Sequence, residues 1–535
     1  MNPGLRPLTL AASVALLALA AACGRTQSGG TPTTLPTALL TAVPSATAPS
    51  PLPVLPTVSP KGRVTFYGTE ASDNAAAIAA GDFNGDTIPD IVLAAVNGDG
   101  PANARPDAGE AYVFLGPFTP GQARDPAADQ RDLVIYGAHT DDHLGRALTA
   151  GDFNGDGVDD IALGAPFADG PDLARPDSGQ VYLLFGSSRW GKQVREVDLA
   201  AGDQDATVFG ADADDLAGSA LHAADVNGDH SDDLIIGAFW ADGPDNGRPN
   251  AGEVNVIYGG SDRRRVDLAL GQQDEIVYGA EAGDLLGDEV ETADVNGDGC
   301  ADLILAATFA SGPGNSRDRA GETYLFLCPH APVLDTARGE QDVTILGADP
   351  GDQIGHSIGA GDLNKDGFDD LLLGALSADG PENQSDLAGE AYLILGGEHL
   401  ADVIDTAADG ADALIYGAAA VDRLGRSVTM GDVNGDGFSD AVLSAPNADG
   451  RAGAVYVVYG RPKGPYPGNA GQADITVQGL DAEDILGHEA FGRPPLATAD
   501  MDGDGLADLL VTASSADGPG NERPDAGEAY IIYMK

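Results

Sequence analysis

The chain has 535 residues, 43% of them hydrophobic, with 74 Gly and 34 Pro. That is ample apolar material for a core, and too many turn formers for a protein of long helices. With 84 Asp plus Glu against 28 Lys plus Arg the formal net charge is −56. Such a surface excludes a nucleic-acid partner and is repelled by anionic lipid.

In chain order, residues 1–22 read as a signal peptide. Arg6 supplies a short positive start, and Leu8 to Ala22 is an apolar run too short to span a bilayer comfortably. It ends Ala20-Ala21-Ala22-Cys23-Gly24, which resembles a bacterial lipobox with Ala20 in place of the usual Leu. The resemblance implies diacylation of Cys23 and a lipid anchor at the bacterial cell surface. The alternative is an ordinary signal peptide followed by a chance cysteine. Residues 23–62 are mostly Thr, Pro, Ser, Ala and Gly, which cannot build a core and read as a tether.

Residues 63–535 repeat one unit seven times, marked by Asp-x-Asn-x-Asp-x-x-x-Asp at steps of 68 to 73 residues. Each unit holds an aromatic-Gly pair such as Tyr136-Gly137 (Leu346-Gly347 and Gln478-Gly479 in units five and seven), a short apolar stretch, the Asp loop, and a run such as Ile161-Ala162-Leu163-Gly164-Ala165. A polar loop and two further β-rich runs follow, such as Ala111 to Leu115 and Leu133 to Tyr136. None has helical length or period. The spacing predicts an all-β, seven-bladed β-propeller with four antiparallel strands per blade. The chain opens with a lone fourth strand, Val64 to Tyr67, and stops at a third, Tyr530 to Tyr533. The N-terminal strand is therefore expected to close the last blade.

Tyr136-Gly137 with Gly164-Ala165-Pro166, and Tyr416-Gly417 with Ser444-Ala445-Pro446, resemble the FG-GAP repeat, which builds the N-terminal propeller of integrin α subunits. The resemblance implies cell-surface adhesion or ligand binding, without naming the ligand. An extracellular protein or a glycan is the expected partner, with the membrane reached only through the N-terminal lipid.

The Asp loops read as calcium sites, about seven in all. Side-chain oxygens at positions one, three, five and nine can converge on one ion. These are Asp82, Asn84, Asp86 and Asp90; Asp152, Asn154, Asp156 and Asp160; Asp225, Asn227, Asp229 and Asp233; Asp294, Asn296, Asp298 and Asp302; Asp362, Asn364, Asp366 and Asp370; Asp432, Asn434, Asp436 and Asp440; and Asp500, Asp502, Asp504 and Asp508. Position seven offers its backbone carbonyl, so its side chain varies freely: Ile88, Val158, Ser231, Cys300, Phe368, Phe438 and Leu506. Oxygen ligands without His or thiolate favour Ca²⁺ over zinc or copper. Position six is Gly except at Thr87 and His230, so sites one and three are expected to be weaker. An EF-hand is excluded, because the twelfth residues, Leu93, Leu163 and Ile236 among them, lie in β-type runs.

At the opposite end of the strands an Asp stands five residues after each pair's Gly: Asp73, Asp142, Asp215, Asp284, Asp352, Asp422 and Asp484. These are read as turn acceptors paired with Arg105, Arg175, Arg248 and Arg523 of the neighbouring loops. The functional alternative is an acidic rim for a cationic or metal-bridged ligand. Cys300 and Cys328 fall at one end of neighbouring strands and are expected to form a disulfide; the alternative is two free thiols. Gly355-His356-Ser357-Ile358-Gly359 matches a nucleophile pattern, but on a predicted strand rather than an elbow. No catalytic residue is assigned. A surface enzyme acting on a polysaccharide or lipid headgroup remains the alternative to a binding module.

Overall fold

The second strand of every repeat is buried along its whole length: Asp90–Ala95, Asp160–Ala165, Asp233–Ala238, Asp302–Ala307, Asp370–Ala375, Asp440–Ala445 and Asp508–Ala513. A strand covered on both faces needs a packed layer on each side. Ile91 and Leu93 accordingly enter the core shared with blade seven, while Val92 and Ala94 enter the core shared with blade two. The alternation repeats round the ring, giving one apolar cluster per blade junction among the described residues.

The computed structural model describes residues 62–260, 263–408, 410–488 and 494–534. The signal peptide, Cys23 and the tether through Lys61 lie outside the described residues. Blade one runs from the axis outward as Ala75–Gly81, Asp90–Ala95, Glu110–Phe114 and Leu133–Tyr136, all antiparallel. The order recurs in all seven blades. Arg63–Tyr67 pairs antiparallel with Glu528–Ile532, Arg63 opposite Ile532, so the first strand closes the last blade.

Four strands per blade is incomplete. Five sheets carry a fifth, parallel strand donated by the next repeat: Glu196–Asp198, Arg265–Asp267, Val333–Asp335, Val403–Asp405 and Ala123–Arg124. Two or three residues are too few to show a strand period, yet they cover each outer edge.

The arginine pairing expected from the sequence is also corrected. Arg105 bonds Asp198 at 2.7 Å, Arg175 bonds Asp267 at 2.8 Å, and Arg248 bonds Asp335 at 2.7 Å. Arg317 meets Asp405 at 2.7 Å, and Arg523 meets Asp125 at 2.9 Å. Each acceptor lies at or just beyond the end of the next repeat's outer strand. The same guanidinium donates to the carbonyl of Gly137, Gly279, Gly347 or Gly68 in four of these latches. Blade five has Ser385 in place of the arginine, and the next repeat has Asn469 in place of the aspartate. The Asn469 amide donates to Gly417 O at 2.8 Å, so that carbonyl keeps a donor.

The aspartates of the loops that lead into the inner strands are turn acceptors. Asp73 takes the Glu70 N–H at 2.9 Å, Asp215 the Asp212 N–H at 2.9 Å, and Asp422 the Ala419 N–H at 2.8 Å. Ser357 opens the strand Ser357–Gly361, buried, with its hydroxyl donating to Gly425 O at 3.1 Å. It is not a nucleophile elbow.

Candidate metal centres

Each Asp loop is the hairpin joining the inner strand to the second. In loop two, Asp152 accepts the Asp156 N–H at 2.9 Å and the Gly157 N–H at 2.7 Å, and Asp156 accepts the Val158 N–H at 3.0 Å. Loop one repeats the pattern with Asp82, Asp86, Thr87 and Ile88. Position three joins in: Asn296 accepts the Asp298 N–H at 2.9 Å and Asp502 the Asp504 N–H at 3.2 Å. The turn's own N–H groups thus fix the side chains of positions one and five against the hairpin backbone. In loop seven a carboxylate oxygen from each of Asp500, Asp502 and Asp504 lies within 4.8 Å of the other two. Three hard, anionic oxygens that close suit a divalent cation of the calcium type.

Two backbone features make the turn. Position six is left-handed, with φ 83° at Gly157. Thr87 and His230 hold the same conformation, φ 68° and 72°, despite their Cβ. Position four lies under the next loop: a Cβ on Gly155 would stand 2.7 Å from Ser231 Oγ.

Position nine sits deeper than its neighbours. Asp90, Asp160, Asp233, Asp302, Asp370, Asp440 and Asp508 are all buried. One oxygen accepts the position-two N–H, as from Phe83, Val226, Val295, Leu363, Val433 and Met501. The other accepts an N–H just beyond the third strand: Gly116, Gly186, Gly259, Cys328, Gly396, Gly460 or Met534, at 2.8 to 2.9 Å. Burial pushes Asp90 up to about 7 and Asp160 to about 8. Position nine is therefore the post that ties the hairpin to the third strand, and in loop seven positions one, three and five come together above it.

Position eight carries a task that the sequence reading missed. Asp159 accepts the Asp82 N–H at 2.7 Å, Asp232 the Asp152 N–H at 2.8 Å, and Asp369 the Asp294 N–H at 3.1 Å. Neighbouring loops are thereby chained. The available signal was the Asp-Asp doublet at 159–160, 232–233 and 369–370. Cys300 and Cys328 are joined in a disulfide, Cα to Cα 6.0 Å.

The FG-GAP repeat model matches residues 144–184, 286–326, 354–394, 424–458 and 496–532, which are the inner three strands of five blades. The chain is an FG-GAP, integrin-α-like β-propeller. Integrin alpha-PS2 of Drosophila melanogaster is 33% identical over 190 residues, 32% of this chain and 12% of that protein. Phosphatidylinositol-glycan-specific phospholipase D of Homo sapiens is 26% identical over 414 residues, 72% of this chain and 45% of that protein. The FG-GAP chain spans less than half the length of these curated relatives. Among solved structures, Bacillus licheniformis rhamnogalacturonan lyase PL11 aligns with 88% of this chain and 74% of its own, at 14% identity and a TM-score of 0.42.

Two features break the sevenfold symmetry of this FG-GAP ring. On the face opposite the hairpins, Phe167 and Trp240 occupy equivalent positions in blades two and three and are 37% and 44% exposed. Blade four has Phe309 at the same position, half-buried, and Asn97, Ser377, Asn447 and Ser515 stand there in the other four blades. On the axis, inner strands enclose a cavity of about 240 Å³ whose lining includes His222, Glu289 and Glu291. His222 Nε2 lies 3.0 Å from Glu291 Oε1, and burial raises Glu291 above the usual carboxylate range although His222 opposes it. Among the described residues no helix is long and apolar enough to cross a membrane.

Proposed function

We propose that this chain is an exported, calcium-binding propeller that serves as an adhesion or ligand-binding module tethered to the cell surface. Each hairpin holds one Ca²⁺ through positions one, three and five and the carbonyl of position seven, with position nine closing the set. The ions neutralise the clustered carboxylates and hold the hairpin end of the ring rigid. That role is structural, and it leaves the opposite face for recognition. The observation that carries the reading is the exposed aromatic pair, Phe167 and Trp240, continued by the half-buried Phe309 of blade four, in three adjacent blades where the other four present small polar groups. Exposed rings on one sector of a solvated ring mark a contact surface. Residues 1–22 direct export, Cys23 carries the lipid, and the tether holds the propeller clear of the membrane.

The test is a screen of the protein against glycans and cell-surface proteins, in calcium and in chelator, repeated with Phe167→Ala and Trp240→Ala. Binding that weakens at least tenfold in either variant supports the reading. Binding indifferent to both substitutions and to chelation removes it.

The axial cavity favours a second reading, a surface enzyme acting on a polysaccharide or lipid headgroup. His222 beside Glu291 is a pair able to move a proton. Turnover of a glycan or phospholipid that disappears in His222→Ala, with folding intact, would establish it.

A further inference from the structure

We propose that the Cys300–Cys328 disulfide sets the metal affinity of the fourth hairpin and makes that centre responsive to thiol reductants. The inference rests on the calcium reading of the hairpins. Cys300 is position seven, the residue whose carbonyl serves as the main-chain ligand, and its N–H donates to Asp298 Oδ1 at 3.0 Å. Cys328 follows the third strand, and its N–H donates to Asp302 Oδ1 at 2.9 Å. The sulfur bridge therefore joins, through one hydrogen bond at each end, the carboxylates of positions five and nine. Both sulfurs also lie 3.9 to 4.0 Å from Val226 O, at position two of the third hairpin.

Other blades solve the same packing problem without a bond. The second residue beyond their third strand is Gly at 116, 186 and 460, where a Cβ would stand 2.7 Å from Ile88 Cγ2, 2.6 Å from Val158 Cγ1 and 2.7 Å from Phe438 Cβ. There, position seven is held by van der Waals contact. Blade four replaces that contact with a covalent link, and neither cysteine is fully buried.

A dithiol reductant reaches the bond by ordinary exchange. Its thiolate attacks one sulfur and expels the other cysteine as a thiolate. Its second thiolate then displaces the first cysteine and closes a cyclic disulfide. Two electrons and two protons pass to the protein, leaving two thiols. The position-seven carbonyl is then no longer tied to the third strand, and ordering it becomes part of the cost of binding the ion. The other six hairpins contain no cysteine and are untouched.

The test is calcium titration of the full chain by calorimetry, as isolated and after reduction with dithiothreitol, alongside Cys300→Ser/Cys328→Ser. Six sites of unchanged affinity and one weakened at least tenfold are expected in the reduced protein and in the variant. In Asp298→Ala, which removes site four in both redox states, reduction should leave the isotherm unchanged. Equal isotherms for oxidised and reduced wild type overturn the proposal, as does a redox difference that persists in Asp298→Ala. An absence of calcium uptake in every form removes the metal reading itself, a result distinct from the other two.

Discussion

Within nine residues, aspartate does two unlike jobs. Asp229, at position five of loop three, is exposed and turned over the hairpin, whereas Asp233, at position nine, is buried. Asp233 accepts from Val226 N at 3.0 Å, Asn227 Nδ2 at 3.0 Å and Gly259 N at 2.8 Å. Removing it strands buried donors whatever the metal does. Asp233→Ala is therefore expected to cost about 3 kcal/mol in denaturant unfolding even in chelator. Asp229→Ala should cost less than about 1 kcal/mol there, and show its main effect only with calcium present. Equal losses for the two variants in chelator would refute the division of labour.

Among the elements, the outer parallel strand and its arginine latch fasten each blade to the next. Arg317 meets Asp405 through two bonds of 2.7 Å and also donates to Gly347 O at 2.7 Å. The guanidinium holds the Asp405 carboxyl below its ordinary range. Arg317→Ala should destabilise by about 2 kcal/mol, and Arg317→Lys should recover less than half, because an ammonium cannot match the fork. Urea unfolding of both variants measures this. A fully restored midpoint in the lysine variant would show that charge alone suffices. The Ser385 and Asn469 exchange in blade five points to the Gly carbonyl as the group that must be satisfied.

For the whole ring, stability is governed by many acids held close together. Burial pushes Asp73, Asp215 and Asp284 up to about 7, and Asp352 and Glu253 to about 8. A carboxyl whose folded pKa lies above its unfolded value binds its proton more tightly when folded. The stability it adds is complete below about pH 4 and drains as pH rises through 7 to 8. In chelator, the melting temperature should rise as pH falls from 8 to 5; a fall over that range would contradict these environments. At neutral pH, chelation itself should lower the melting temperature by more than about 10 °C, since each site at a hundred-fold excess over Kd contributes about 2.7 kcal/mol. An unchanged midpoint would count against the calcium centres.

The seven repeats, their inner four strands, closure by Val64 to Tyr67 and the positions of the Asp loops were legible in the amino-acid order. Apolar runs, turn residues and a fixed spacing are local signals, and a one-dimensional pattern carries them. Which carboxylates converge, which one is buried as a post, and which aspartate each arginine meets were decided in three dimensions. Asp198 is 93 residues from Arg105, and Asp159 is 77 residues from the Asp82 N–H it accepts. Those contacts exist because rotation about the axis brings the end of one repeat against the next, and no local spacing records that approach.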